Sequence, residues 1–122
     1  MVEKVLWGWH LSVNASGCNL ERMQDRETLN AFIKRLVVDI DMIAFGEPDI
    51  VWFGNGNKSG FTLSQLISTS NICAHFSDDL CAIFLDVFSC KEFDQQTVLN
   101  LVSEYFGAQS FTVSFQERWC DA

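Results

Sequence analysis

Among the hydroxyl, imidazole and thiol side chains between residues 62 and 90, six form a group from which a nucleophilic or proton-transfer site could be built: Thr62, Ser68, Thr69, Ser70, His75 and Cys90. They stand out because their surroundings are apolar, and hydroxyl, imidazole and thiol groups are the usual carriers of covalent and acid–base chemistry. Periodicity alone reads Ser70 as a strand-end serine and Cys90 as a small buried hydrophobe. Other motifs give less. There is no GxGxxG, no Walker loop and no HExxH, and the glycine-bearing run GNGNKSG at 54–60 lacks a GK[ST] ending, so it reads as a solvated turn. His10 and His75 have no carboxylate nearby at metal-ligand spacing, and no metal site is expected. Asp78 and Asp79 read as turn residues.

The elements that must hold these groups follow from spacing. Residues 4–14 are rich in aromatic and branched residues and read as a strand. Residues 26–44 carry Leu29, Phe32, Ile33, Leu36, Val37, Ile40 and Ile43 at intervals of three and four, which predicts an amphipathic helix capped by Asp25 and closed by Gly46 and Pro48. Strands are expected at 49–53, 61–69, 71–77, 81–88 and 110–116. In the second of these, Phe61, Leu63, Gln65 and Ile67 alternate with Thr62, Ser64, Leu66 and Ser68. A second helix is expected at 95–106, with Asp94 as N-cap and Gly107 as C-cap. The order β-α-β-β-β-β-α-β has no linker, so one domain covers 1–122. Both helices need a sheet face to cover their stripes, which predicts a two-layer α+β sandwich with a mainly antiparallel sheet and both helices on one face.

Composition sets the outer limits. Eleven Phe and four Trp in 122 residues suffice for a core, and a chain this short gains from a subunit interface. Sixteen acidic against eight basic residues give a net charge of −8. That balance disfavours nucleic acid and anionic membranes and suits a small cationic substrate. The N-terminal residues lack the pattern of a signal peptide, and no apolar stretch approaches the length of a membrane span. Five cysteines without CxxC spacing suggest neither a disulfide framework nor a zinc site, and free thiols point to a cytoplasmic protein.

Residues 60–94, GFTLSQLISTSNICAHFSDDLCAIFLDVFSCKEFD, resemble the core of the short bacterial and archaeal S-adenosylmethionine decarboxylases. In that family a strand-end serine is followed five residues later by His and twenty later by Cys, and Ser70, His75 and Cys90 keep both intervals. Asp86–Cys90 (DVFSC) matches the family's delivery of its cysteine. Thr62, eight before the serine, matches a hydroxyl that assists processing, and GWHL at 8–11 falls on the equivalent first strand. Thr69 stands where the family usually has Glu, and Asn14 where an acidic residue is common. The loop before Gly60 has no aromatic at the place where the family stacks adenine; Phe53, Phe61 or Trp52 could substitute, and spacing does not pick one.

The resemblance implies a proenzyme that cuts itself between residues 69 and 70, with the Ser70 hydroxyl attacking the Thr69 carbonyl and with Thr62 and His75 assisting. A pyruvoyl group derived from Ser70 would then serve as electron sink, the role pyridoxal phosphate plays elsewhere. Cys90 would return a proton to the substrate carbon; Cys18, Cys73, Cys81 and Cys120 read as structural. The implied activity is decarboxylation of S-adenosylmethionine for polyamine synthesis, in a homodimer of processed protomers. Two alternatives stay open: a pyruvoyl-dependent decarboxylase of a basic amino acid such as ornithine or arginine, and a non-catalytic homologue.

Overall fold

The computed structural model describes residues 2–122. Strand β1 (Lys4–Ser16) leads into a single helical turn, α1 (Leu20–Met23), and helix α2 (Arg26–Asp39). Strand β2 (Asp49–Phe53), a 3-10 turn at Gly56–Lys58, and strands β3 (Gly60–Ile67), β4 (Ser70–Ser77) and β5 (Ala82–Ser89) follow. Helix α3 (Gln95–Phe106) and strand β6 (Ser110–Asp121) complete the described chain. The strands form one sheet in the order β2-β3-β4-β5-β1-β6, and each neighbouring pair is antiparallel.

The period-2 patterns decide which face meets the helices. Leu11, Val13 and Ala15 of β1, Leu63, Gln65 and Ile67 of β3, Ile72, Ala74 and Phe76 of β4, and Ile83, Leu85 and Val87 of β5 are all buried. They pack against Phe32, Ile33 and Leu36 of α2 and Val98, Val102 and Phe106 of α3. Phe106 joins the layers, meeting Phe32 edge-on at 5.1 Å and Phe76 at 5.3 Å. Gln65, like Ser89, is a buried polar member of this face. It is 2% exposed, and its amide donates to the carbonyls of Gly46 and Leu66. The architecture is the two-layer α+β sandwich expected from the sequence.

Helix α2 is shorter than its apolar spacing suggested. It ends at Asp39, five residues before 44, and Ile43 lies outside it, largely exposed. The cause is a Schellman cap. Met42 N–H donates to the Val37 carbonyl at 2.9 Å and Asp41 N–H to Val38 at 3.0 Å, while Asp41 takes the left-handed conformation with φ 60°. Aspartate tolerates that region better than most residues, so a helix stop can occur without glycine. Residues 43–45 then run beside the end of β3. Ser68 N–H donates to Ile43 and Phe45 N–H to Leu66. The α3 caps match expectation: the Asp94 side chain accepts from Gln96 N–H, and Gly107 is left-handed at φ 63°.

The face of the sheet opposite the helices has no helix on it. It carries His10, Ser12 and Asn14 of β1, Phe84, Asp86 and Phe88 of β5, Asn71, Cys73 and His75 of β4, and Thr62, Ser64 and Leu66 of β3, aligned by register. Among the described residues no helix is long and apolar enough to cross a membrane. Replacing Phe106 by Ala removes the ring that joins sheet and helices. A loss of about 3–5 kcal/mol is expected, measurable as a lower urea midpoint with an unchanged denaturant slope.

Candidate active site

The β3–β4 hairpin places Ser70. Ile67 pairs directly with Ser70, so Ser68 and Thr69 alone turn the chain. Thr69 has φ 62°, which is uncommon for any residue with a Cβ and an outlier for a β-branched one. Such a conformation costs on the order of 1–3 kcal/mol and persists only where the surroundings enforce it. Here the enforcement is visible: Ser68 N–H is bonded to Ile43, and the two strands on either side fix the ends of the turn.

Cys90 follows β5, two residues past the pairing of Phe88 with Asn71, and this brings it against the turn. Its backbone N–H donates to Ser70 Oγ at 2.7 Å. Its Sγ lies 2.6 Å from Thr69 Oγ1 and 3.7 Å from the Ser68 carbonyl. Residue 90 therefore touches both sides of the Thr69–Ser70 bond. The loop beyond is tied down by Lys91, whose ammonium donates to the Asp41 carboxylate at 2.6 Å and to the Asp41 carbonyl. Lys91 holds the Asp41 carboxyl below the usual carboxylate range, first by that hydrogen bond and then by its charge.

His75 and Thr62 form a second cluster. They face each other across β3 and β4, with Thr62 Oγ1 3.3 Å from His75 Nδ1. Five residues of strand separate His75 from Ser70, which is about 17 Å at 3.3–3.4 Å per residue. The odd interval also gives them opposite parity: His75 is on the helix-free face, while Ser70 has the parity of buried Ile72, Ala74 and Phe76. Within one chain the structure brings together Thr69, Ser70 and Cys90, and separately Thr62 and His75.

Phe53, Lys58, Thr62, His75, Leu80 and Phe84 border a cavity of about 430 Å³ on the helix-free face. Of the three aromatics expected near the substrate, Phe53 is the one that lines it. Phe61 is buried beneath the Arg26 guanidinium, and the Trp52 indole N–H donates to Asp78.

Sequence reasoning missed Asp86, which accepts from Ser12 Oγ at 2.9 Å and lies 3.0 Å from His10 Nε2. His10 has its carboxylate after all, 76 residues away in sequence and brought close by the β1–β5 ladder. A charged residue within the apolar run of β5 was the available signal. At the Cys90 end of the same face, Phe88 packs with Trp7 at 5.6 Å and under the Arg118 guanidinium at 5.0 Å.

Fold and site together define a two-layer α+β protein in which Ser70 and Cys90 meet at one end of the sheet, beside a strained hairpin. The sequence matches the S-adenosylmethionine decarboxylase family over residues 9–119, and the chain belongs to that family of carboxy-lyases. It is 26% identical over 98 residues to the S-adenosylmethionine decarboxylase proenzyme of Clostridium botulinum strain Loch Maree / Type A3, covering 80% of this chain and 81% of that one. The corresponding proenzyme of strain Langeland / NCTC 10281 / Type F gives the same identity and coverage. The fold is similar to the crystal structure of the adenosylmethionine decarboxylase from Aquifex aeolicus VF5, with TM-score 0.77 over 93% of this chain and 91% of that one, at 15% identity.

The other cysteines differ in environment from Cys90. Cys18 is buried, its N–H donates to the Cys81 carbonyl, and its thiol is pushed up to about 11, first by burial and then by the neighbouring Cys81. A folded-state value above the unfolded one contributes stability below pH 9, lost as pH rises toward 11. Replacing Cys18 by Ala should therefore flatten the fall in thermal midpoint between pH 9 and 11.

Proposed function

We propose that the chain is a proenzyme that cleaves itself between Thr69 and Ser70 and then decarboxylates S-adenosylmethionine. The observation that carries this reading is the scissile bond's setting. The serine hydroxyl follows a residue held at φ 62° in a two-residue turn and accepts the Cys90 N–H. Because that N–H occupies one Ser70 Oγ lone pair, the hydroxyl proton points elsewhere and another lone pair is free for the carbonyl carbon.

The steps balance without any outside reagent except water. Ser70 Oγ adds to the Thr69 carbonyl carbon, the peptide C–N bond breaks, and the Thr69 acyl group passes from nitrogen to oxygen. Loss of the residue 70 α-proton expels the Thr69 carboxylate, which becomes the terminus of the 1–69 chain. The unsaturated residue left behind adds water and releases ammonia, so residue 70 heads the 70–122 chain as a pyruvoyl group. The residues present suit this group: a serine, a carbonyl before it and a thiol beside it. When formed, it supplies a ketone that withdraws electrons from the α-carbon of an amine-bearing acid.

The chain's own side chains do the rest. Cys90 Sγ holds the proton that returns to the substrate carbon after loss of carbon dioxide. Thr62 and His75 move protons and stabilise a developing oxyanion. At about 17 Å along the strand, this pair cannot serve Ser70 of its own chain, so we assign it to Ser70 of a second copy. Stacked sheets lie about 10 Å apart. A two-fold axis through the middle of the helix-free face, near Cys73, carries the His75 end of one protomer over the Ser70 end of the other. The Phe53 and Phe84 cavity then stands opposite the partner's hairpin and offers aromatic walls to a purine ring. The net charge of −8 suits a sulfonium substrate.

Purified protein should run as two fragments, residues 1–69 and 70–122, the second lacking a free amino terminus. It should release carbon dioxide from carboxyl-labelled S-adenosylmethionine. Ser70→Ala should leave one intact chain and no activity. An intact, inactive wild-type chain would favour the non-catalytic reading, and fragments that act on ornithine or arginine instead would move the substrate to the basic amino acids.

A further inference from the structure

Thr69 is needed for processing only as a carbonyl, yet its side chain makes a contact that processing does not explain. Its Oγ1 donates to the Ser68 carbonyl at 2.8 Å and lies 2.6 Å from Cys90 Sγ. A threonine hydroxyl has one proton and two lone pairs. With the proton on Ser68, a lone pair faces the thiol, so Cys90 is the donor and Thr69 the acceptor. The Ser68 carbonyl, 3.7 Å from the sulfur, is a second and more distant acceptor for the same thiol. The nearest cation in sequence, Lys91, is engaged by Asp41.

We propose that the Thr69 hydroxyl is a positioning residue for the Cys90 thiol, a role that rests on reading Cys90 as the proton donor. Two features of the residue suit it. A β-branched side chain is stiff about χ1, so the hydroxyl direction is set by the backbone. The left-handed backbone then aims that hydroxyl across the turn at residue 90. Glycine or asparagine would occupy φ 62° with less strain, but neither offers a hydroxyl there. The strained threonine is thus explained by what its side chain touches.

The contact also outlasts the cut. In the uncut chain residue 90 meets Thr69 through its thiol and Ser70 Oγ through its amide. The cut carries that oxygen away in the Thr69 carboxylate and leaves the Thr69 Oγ1 that faces the thiol chemically unchanged. Thr69 then orients the thiol from the end of the other fragment. When Cys90 gives its proton to the substrate carbon, the sulfur keeps the S–H electron pair. The Thr69 O–H turns from the Ser68 carbonyl to the sulfur and holds that charge until a proton returns from water.

The test uses Thr69→Val, which keeps shape and β-branching but removes the hydroxyl, and Thr69→Ser, which keeps the hydroxyl. In the uncleaved Ser70→Ala chain, alkylation of Cys90 by iodoacetamide is followed peptide by peptide, with exposed Cys120 as internal reference. The released thiol in Thr69→Val should react at least about threefold faster, and Thr69→Ser should stay within about twofold of the parent. In the cleaving background, Thr69→Val should still cut, with kcat down about tenfold and KM within about twofold. Equal Cys90 alkylation in the Val and Thr chains would overturn the proposal. Because the alkylation arm needs no cleavage, a positive result there beside an uncut wild-type chain would sink the decarboxylase reading and leave the Thr69–Cys90 contact standing.

Discussion

Ile67 pairs with Ser70, and that single rung of the β3–β4 ladder leaves two residues to reverse the chain. The favoured two-residue hairpin loops take positive φ at one or both of their residues. The sequence supplies no glycine there, so Thr69 takes φ 62°. The Thr69–Ser70 bond is thereby held in a conformation that a longer loop would let relax. The register continues through β4 and β5, where the pairing of Asn71 with Phe88 sets how far Cys90 lies beyond the sheet. One ladder therefore fixes the Thr69–Ser70 bond, the Ser70 hydroxyl and the thiol beside them.

The same register excludes something. A strand advances about 3.3 Å per residue and alternates its faces, so the interval from Ser70 to His75 separates them in distance and in parity. Thr62 shares His75's fate because it is that residue's direct partner on β3. A rigid, fully paired sheet cannot bend to bring these groups together. The helix-free face, with its aromatic cavity at one end and the hairpin at the other, offers the remaining route, through a second copy turned by a two-fold axis. Burial of Phe84, Leu66 and Phe53 in such an interface also gives a physical reason for their exposure in the single chain.

Much of this was legible from residue spacing. The alternation in β3 placed Gln65 on the core face correctly, because period 2 holds through an uninterrupted strand. The stripe on α3 and its Asp94 and Gly107 caps were equally plain. The end of α2 was not, because Asp41 performs a reversal usually signalled by glycine, and the nearest glycine, Gly46, misdirected the boundary. Ser70, His75 and Cys90 stood out as a set only through the resemblance to the decarboxylase family, whose intervals of five and twenty they keep. That the set divides along the sheet followed from the five-residue interval, but only once β4 was known to run unbroken from Ser70 to Ser77. The His10–Asp86 pair and the Thr69–Cys90 contact join residues 76 and 21 apart, and nothing in local pattern announces such contacts.

The central claim is that the working site combines Ser70 and Cys90 of one copy with Thr62 and His75 of another. Co-expression of Ser70→Ala with His75→Ala chains tests it directly. Random pairing gives half mixed dimers, each with one site assembled wholly from unaltered residues, so activity should return to about a quarter of the wild-type level although each variant alone is inactive. No recovery from a mixture shown to contain mixed dimers would contradict the account and require His75 to act within its own chain or not at all.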